Sequence, residues 1–253
     1  MVENEQTGGT RATAVAREPS ALPKRFYTDV SVDDEGARAA ILLDGRPLRT
    51  PGKASLAVPG RALAEAIAGE WRDQGERIDP ATMPLTKLAN TAIDAVAGKS
   101  EAVVGDILAH AHADLLCYRA GGPEGLLAEQ VKHWDPVIAW AKDALGAPLN
   151  LTKGIVHVAQ PDDAIAALKA ETEKRDAFGL AALHVMTALT GSALLPLAVA
   201  RKHLSPGAAW DAAHVDEDWQ IGQWGEDAEA KTRRKMRKRD FDAAARMLEL
   251  SQS

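Results

Sequence analysis

The chain has 253 residues, 46% of them hydrophobic, which is enough to bury a sizeable core and argues against disorder as its main state. A formal net charge of -6 gives no general attraction to nucleic acid or to an anionic membrane. The single cysteine, Cys117, excludes an intramolecular disulfide framework and a cysteine zinc cage.

Residues 1–22 carry Glu3, Glu5 and Glu18 among Thr, Ala and Gly. They hold no apolar run for a signal peptide and too many acids for a transit peptide, so they are predicted to form a flexible arm. From Arg25 to Val58 the chain alternates short apolar runs with turn residues: RFYTDVSV, ARAAILL, RPLRTP and KASLAVP. Asp44-Gly45 after ARAAILL predicts a tight hairpin, because both central positions of such a turn need positive φ. Pro47, Pro51 and Pro59 confine the flanking segments to edges or strand ends.

Beyond Pro59-Gly60, Leu63, Ile67 and Trp71 recur at helical spacing, and nearly everything downstream reads as helix. The expected helices are 61–74, 84–97, 100–113, 123–145, 161–176, 177–189, 193–203 and 206–229, followed by a charged last helix. Ser100, Pro161 and Ser205-Pro206 supply start signals. The segment LNLTKGIVHV, 149–158, reads as an extended excursion. The uncharged run 177–200 is long enough to cross a bilayer, but His184, Thr190-Gly191-Ser192 and Pro196 interrupt it, which predicts two short buried helices. The fold class is therefore α+β: an arm at 1–22, a small β-rich domain with a terminal helix at 23–78, and an α-helical domain at 79–253.

HAHAD offers His110, His112 and Asp114 at a spacing of two, which shares one face on a strand but diverges on a helix. The period of Val103, Val104, Ile107, Leu108 and Ala111 selects the helix, so no metal site is expected. Cys117, between Leu116 and Tyr118, reads as an inert buried thiol. His133 and His184 read as packing histidines. No nucleophile elbow, phosphate-cradling glycine loop or zinc-protease motif occurs. The run KTRRKMRKR, 231–239, holds seven cations but no aromatic residue to stack on bases. Seven acids lie between 211 and 229, so the run is expected to be a solvated or acid-pairing helix face rather than a nucleic-acid contact.

The segment DEDWQIGQWGED, 216–227, places acids among indoles. Counted at helical spacing, Trp210, His214, Glu217, Ile221 and Trp224 form one stripe, with Asp216 and Asp218 on its solvent flanks and Val215 and Trp219 on a second apolar face. Two readings of Glu217 stand at this point. It is either a core carboxylate paired with a nearby Arg or His, or a charged anchor in an exposed aromatic interface patch.

LDGRPLRTP (43–51), MPLTKLANTAID (83–94), LLCYR (115–119) and DEDWQIGQWG (216–225), in that order, resemble the assembly chaperones for the catalytic head of the rotary ATP synthase. That family escorts the α subunit until it meets β subunits. The resemblance implies a non-enzymatic, cofactor-free protein whose partner is the unassembled α subunit. It also implies a functional acid among Asp216, Glu217 and Asp218, of which the stripe selects Glu217. Partner-binding residues are expected at Glu217, Trp210, Trp224, Asp218 and Ile221. Eukaryotic relatives work in mitochondria behind a leader, which the N-terminus here does not resemble, so a bacterial cytoplasmic location is expected. Two other readings are a metal-dependent hydrolase using His110, His112 and Asp114, and a nucleic-acid-associated factor using 231–239.

Overall fold

The computed structural model describes residues 22–251, so the N-terminal arm expected at 1–22 lies almost wholly outside the described residues. The first elements form a small antiparallel sheet. Strand β1 (Val30–Glu35) pairs with β2 (Arg38–Leu43) in the register Val30↔Leu43 to Glu35↔Arg38. On the other edge of β2 lie β3 (Arg46–Pro47) and β4 (Ala57–Pro59), paired with opposite halves of that strand. The β2–β3 turn is the expected Asp44-Gly45, with φ of 49° and 75°. The Asp44 carboxylate accepts from the Thr28 and Asp29 amides and the Thr28 hydroxyl, contacts that hold its pKa below the usual value. As the central strand, β2 keeps Ala39, Ala40 and Ile41 fully buried, which explains the unbroken apolar run ARAAILL.

Strand chemistry was expected from Arg25, but Arg25–Asp29 is not strand. It is pinned to the end of α1 (Arg61–Arg72) and the loop beyond it: the Arg25 amide donates to the Glu76 carbonyl at 2.9 Å, and the Tyr27 hydroxyl donates to the Trp71 carbonyl at 2.7 Å. Helix α1 buries Leu63, Ala64, Ile67 and Ala68 and packs on the sheet.

A 3-10 turn at Pro80–Thr82, capped by Asp79, leads into α2 (Pro84–Thr91), which loosens into a π turn at Ala92–Val96. Two carboxylates fasten the sheet and α1 to this helical part. Glu70 of α1 accepts from the Leu85 and Thr86 amides and the Thr86 hydroxyl, satisfying otherwise orphaned donors at the start of α2. Asp94 accepts from the Thr50 hydroxyl at 2.6 Å and the Gly52 amide at 2.8 Å. Two of the motif segments, 43–51 and 83–94, therefore meet in space as a structural joint.

Helices α3 (Ser100–Ala111), α4 (Glu124–Leu145), α5 (Asp162–Thr172), α6 (Ala177–Thr190) and α7 (Leu194–Ala200) follow the expected order. The extended excursion is present as β6 (Thr152–Lys153), parallel to β5 (Tyr118–Arg119). The apolar run 177–200 is broken at Gly191, whose φ of 68° ends α6, and no helix among the described residues is long and apolar enough to cross a membrane. Asp114, fully buried, fastens the break: it accepts from the Ser192 hydroxyl and from the Ala193, Leu194 and Leu116 amides. Burial pushes its carboxyl up to about 6, against the pull of those four donors.

The expected single helix 206–229 is three pieces: α8 (Pro206–Ala213), α9 (Val215–Trp224) and the start of α10 (Ala228–Leu250). The first break falls at His214, with φ −115° and ψ 17°, and the second at Gly225, with φ 85°. Asp227 restarts the chain as an N-cap by accepting from the Ala230 amide. The second half of α10, with Phe241, Ala244, Met247 and Leu248 buried, packs on α6, α2 and α7. One continuous apolar cluster runs from Tyr27 to Leu250.

Candidate binding face on helices α9 and α10

The break at His214 reorients everything after it. Trp210, before the break, is only 4% exposed, its ring 3.8 Å from the His214 ring and 5.4 Å from that of Phe241. The stripe read from the sequence is thus cut in two, and Trp210 belongs to the core, which removes it from any surface a partner can touch. Trp134 of α4 secures the joint by donating its indole N–H to the Ala212 carbonyl at 2.7 Å.

His214 is itself buried. Its Nδ1 lies 2.7 Å from the Trp210 carbonyl, an acceptor only, so Nδ1 carries the proton and donates. Nε2 has no hydrogen-bond partner and lies 3.9 Å from Glu217 Oε2. Burial lowers the His214 pKa and Arg234 and Arg237 push the same way, against the opposing pull of the Trp210 carbonyl and Glu217.

Helix α9 uses two of its faces internally. Val215 is buried, and the Trp219 indole lies against Gly125 of α4, where a Cβ would come within 2.4 Å of Trp219 Cη2. Asp216 was expected on a solvent flank; it accepts instead from Gln130 Nε2 at 2.7 Å, while Gln130 Oε1 takes the Ala120 amide. Asp218, the other flank, is half-exposed and forms an ion pair with Arg234 of α10, whose own pKa is raised chiefly by that bond. Both acids are therefore clamps that fix α9 against its neighbours.

The third face stays open. Glu217, Ile221 and Trp224 follow one another at i, i+4 and i+7. The Glu217 side chain is 37% exposed and the Trp224 residue 80% exposed. Together with Gln220, Gly225, Glu226, Asp227, Ala230 and Lys231 they line a cleft of about 280 Å³ between the end of α9 and the start of α10. The Glu217 carboxylate is neither enclosed nor bonded to a guanidinium, and the basic group nearest to it is the His214 ring, at 3.9 Å. Gln220, Glu226 and Lys231 were not singled out in the sequence; their place at the cleft depends on the Gly225 turn, for which the glycine itself was the only local signal.

The basic run is absorbed by the chain's own acceptors. Lys231 pairs with Glu226, Arg233 with Glu229, Arg234 with Asp218, Lys238 with Asp242 and Arg239 with Asp240, and Arg237 donates to the Leu189 carbonyl at the end of α6. Among the described residues only Lys235 of the seven cations has no such partner. In HAHAD, His112 is exposed, His110 Nδ1 bonds the Asp106 carbonyl one turn back, and Asp114 is the buried cap described above. No group of three potential metal ligands comes together among the described residues. Cys117 is buried and its thiol is pushed up to about 12 by burial, with the Asp114 charge adding to the effect. His133 and His184 are partly exposed beside Glu129 and Asp106, rather than packed in the core.

Residues 24–142 match the family model described as ATP12 chaperone protein. The fold is similar to the crystal structure of Atp12 from Paracoccus denitrificans, at 42% identity and a TM-score of 0.85, covering 90% of this chain and 98% of that one. It is also similar to the Atu1473 protein of Agrobacterium tumefaciens, at 51% identity and a TM-score of 0.87, covering 90% and 86%. In sequence it is 24% identical over 228 residues to the mitochondrial protein atp12 of Schizosaccharomyces pombe, spanning 85% of this chain and 78% of that protein. The chain belongs to the ATP12 chaperone family, the ATP synthase assembly chaperones.

Proposed function

We propose that this protein binds the unassembled α subunit of ATP synthase, shields the surface that would later meet β subunits, and releases it when the larger native interface forms. The observation that carries this reading is the open face of α9, where an indole left four-fifths exposed sits two turns from a partly exposed carboxylate. Exposed aromatic area with a polar mark is costly to leave in water, and it is the composition of an interface centre. Family membership supports a protein partner, and the action proposed is binding without bond chemistry, in the bacterial cytoplasm. Glu217, Ile221 and Trp224 make the contact. Asp218, half-exposed beside them, belongs to the proposed contact as well, while Trp210, 4% exposed, supports the face from the core.

The test is suppression of light scattering when purified protein is mixed with isolated α subunit, with and without nucleotide. Glu217→Gln is expected to weaken α-subunit binding while leaving the thermal midpoint nearly unchanged. Absence of any suppression by the native chain would remove the proposal. A large fall in midpoint would restore the core-pairing role for Glu217.

A further inference from the structure

We infer that the α9–α10 cleft is a receptor for one arginine side chain of the bound polypeptide, its guanidinium on Glu217 and its stem across Ile221 and Trp224. This rests on the reading that the face meets a protein partner. Five carboxylates lie between 216 and 227, and four are already engaged: Asp216 by Gln130, Asp218 by Arg234, Glu226 by Lys231 and Asp227 by the Ala230 amide. Of the five, Glu217 alone accepts no hydrogen bond within the described residues, and its nearest basic group, His214 Nε2 at 3.9 Å, lies beyond hydrogen-bonding distance. The cleft therefore carries a net negative charge, Glu217, Glu226 and Asp227 against Lys231, beside an apolar wall, with the Glu217 carboxylate the one still open to a donor.

That combination selects among occupants. A purely apolar side chain would strip water from Glu217 without replacing its hydrogen bonds, and an anion would be repelled. A cation with an apolar stem satisfies both walls. Seven residues of helix separate Glu217 from Trp224, a rise of about 10 Å, which suits a long side chain laid along the face rather than a short one set into it. Arginine fits better than lysine because its planar fork bonds a carboxylate through two N–H groups, tolerates partial burial through its weaker hydration, and lies flat on an indole. Gln220 adds a polar side chain to the cleft wall.

The experiment uses the full chain labelled with ¹⁵N and short capped peptides that differ only in a central arginine, lysine, citrulline or glutamate. The indole N–H signal of Trp224 is the readout, identified by its loss in Trp224→Phe. The arginine peptide is expected to shift that signal saturably, and its neutral isostere citrulline to bind about tenfold more weakly, the worth of a charge-assisted hydrogen bond. Glu217→Gln should reduce the arginine response by a similar factor and leave the citrulline response alone. Equal binding of arginine and citrulline, indifference to Glu217→Gln, or no saturable shift would each overturn the inference. If α-subunit protection survives and depends on Glu217 while the peptides show no arginine preference, the proposed function stands and the arginine receptor falls. Arginine-selective binding without α-subunit protection has the opposite meaning.

Discussion

Two tryptophans that the sequence places on one stripe should behave oppositely when truncated. Trp210 is 4% exposed and wedged between the rings of His214 and Phe241. Trp210→Ala removes a buried indole and leaves a cavity, a change that costs about 3–5 kcal/mol of folding stability. Trp224 is 80% exposed, so Trp224→Ala forfeits little packing and should stay within about 0.5 kcal/mol of the parent. On binding the roles reverse. An indole offers roughly 200 Å², and covering the exposed four-fifths at about 25 cal/mol per Å² is worth about 4 kcal/mol at most. Ordering and imperfect fit reduce that to about 2 kcal/mol, roughly a thirtyfold loss of affinity. Urea denaturation of the two variants, paired with titration of α subunit into each soluble one, measures both quantities. Equal destabilisation by the two truncations, or full α-subunit affinity in Trp224→Ala, would refute the division of the stripe.

Two further substitutions test the scaffold behind that face. Asp114 has a folded pKa raised from 3.8 to about 6, so its contribution to stability is fully present below pH 4 and is lost as pH rises through 6. Near two pKa units this amounts to about 3 kcal/mol, and Asp114→Asn, which does not titrate, should lack it. The stability gap between parent and variant in urea melts should therefore narrow from pH 4 to pH 7, and a gap that widens would contradict the assignment. Gly125→Ala gains about 1 kcal/mol of helix propensity, but its Cβ would come within 2.4 Å of the Trp219 indole. Displacement of that ring should win by about 1–3 kcal/mol and loosen α9 from α4, read as a lowered thermal midpoint; a raised midpoint would show the ring yielding without cost.

The local chemistry of this chain was legible residue by residue. Asp44-Gly45 announced its hairpin because few residues accept positive φ, and the cap at Ser205 marks a helix start as its side chain dictates. The interrupted run 177–200 read as two buried helices, and the structure has them. The basic run read as a solvated or acid-paired face because acids stand before it in the chain, and Glu226, Glu229 and Asp218 do pair with it, joined by Asp240 and Asp242 beyond it. Family membership was likewise legible, since motif order survives in sequence even where the reasons for it do not.

What the motifs do was decided by tertiary structure. Glu70, Asp94 and Asp114 each satisfy backbone donors on another element, and no local pattern says which donors a carboxylate will reach across the fold. The same holds for the candidate face. Helical periodicity carried one stripe through 210–224, but whether a helix continues past His214 depends on what the residues on either side pack against. Trp134, Phe241 and Gly125 pull Trp210 and Trp219 inward on separate helices. Periodicity fixes which side chains share a face within one unbroken helix; only long-range packing settles where the helix breaks, and hence that Trp224 and Glu217 are left in water while Trp210 is not.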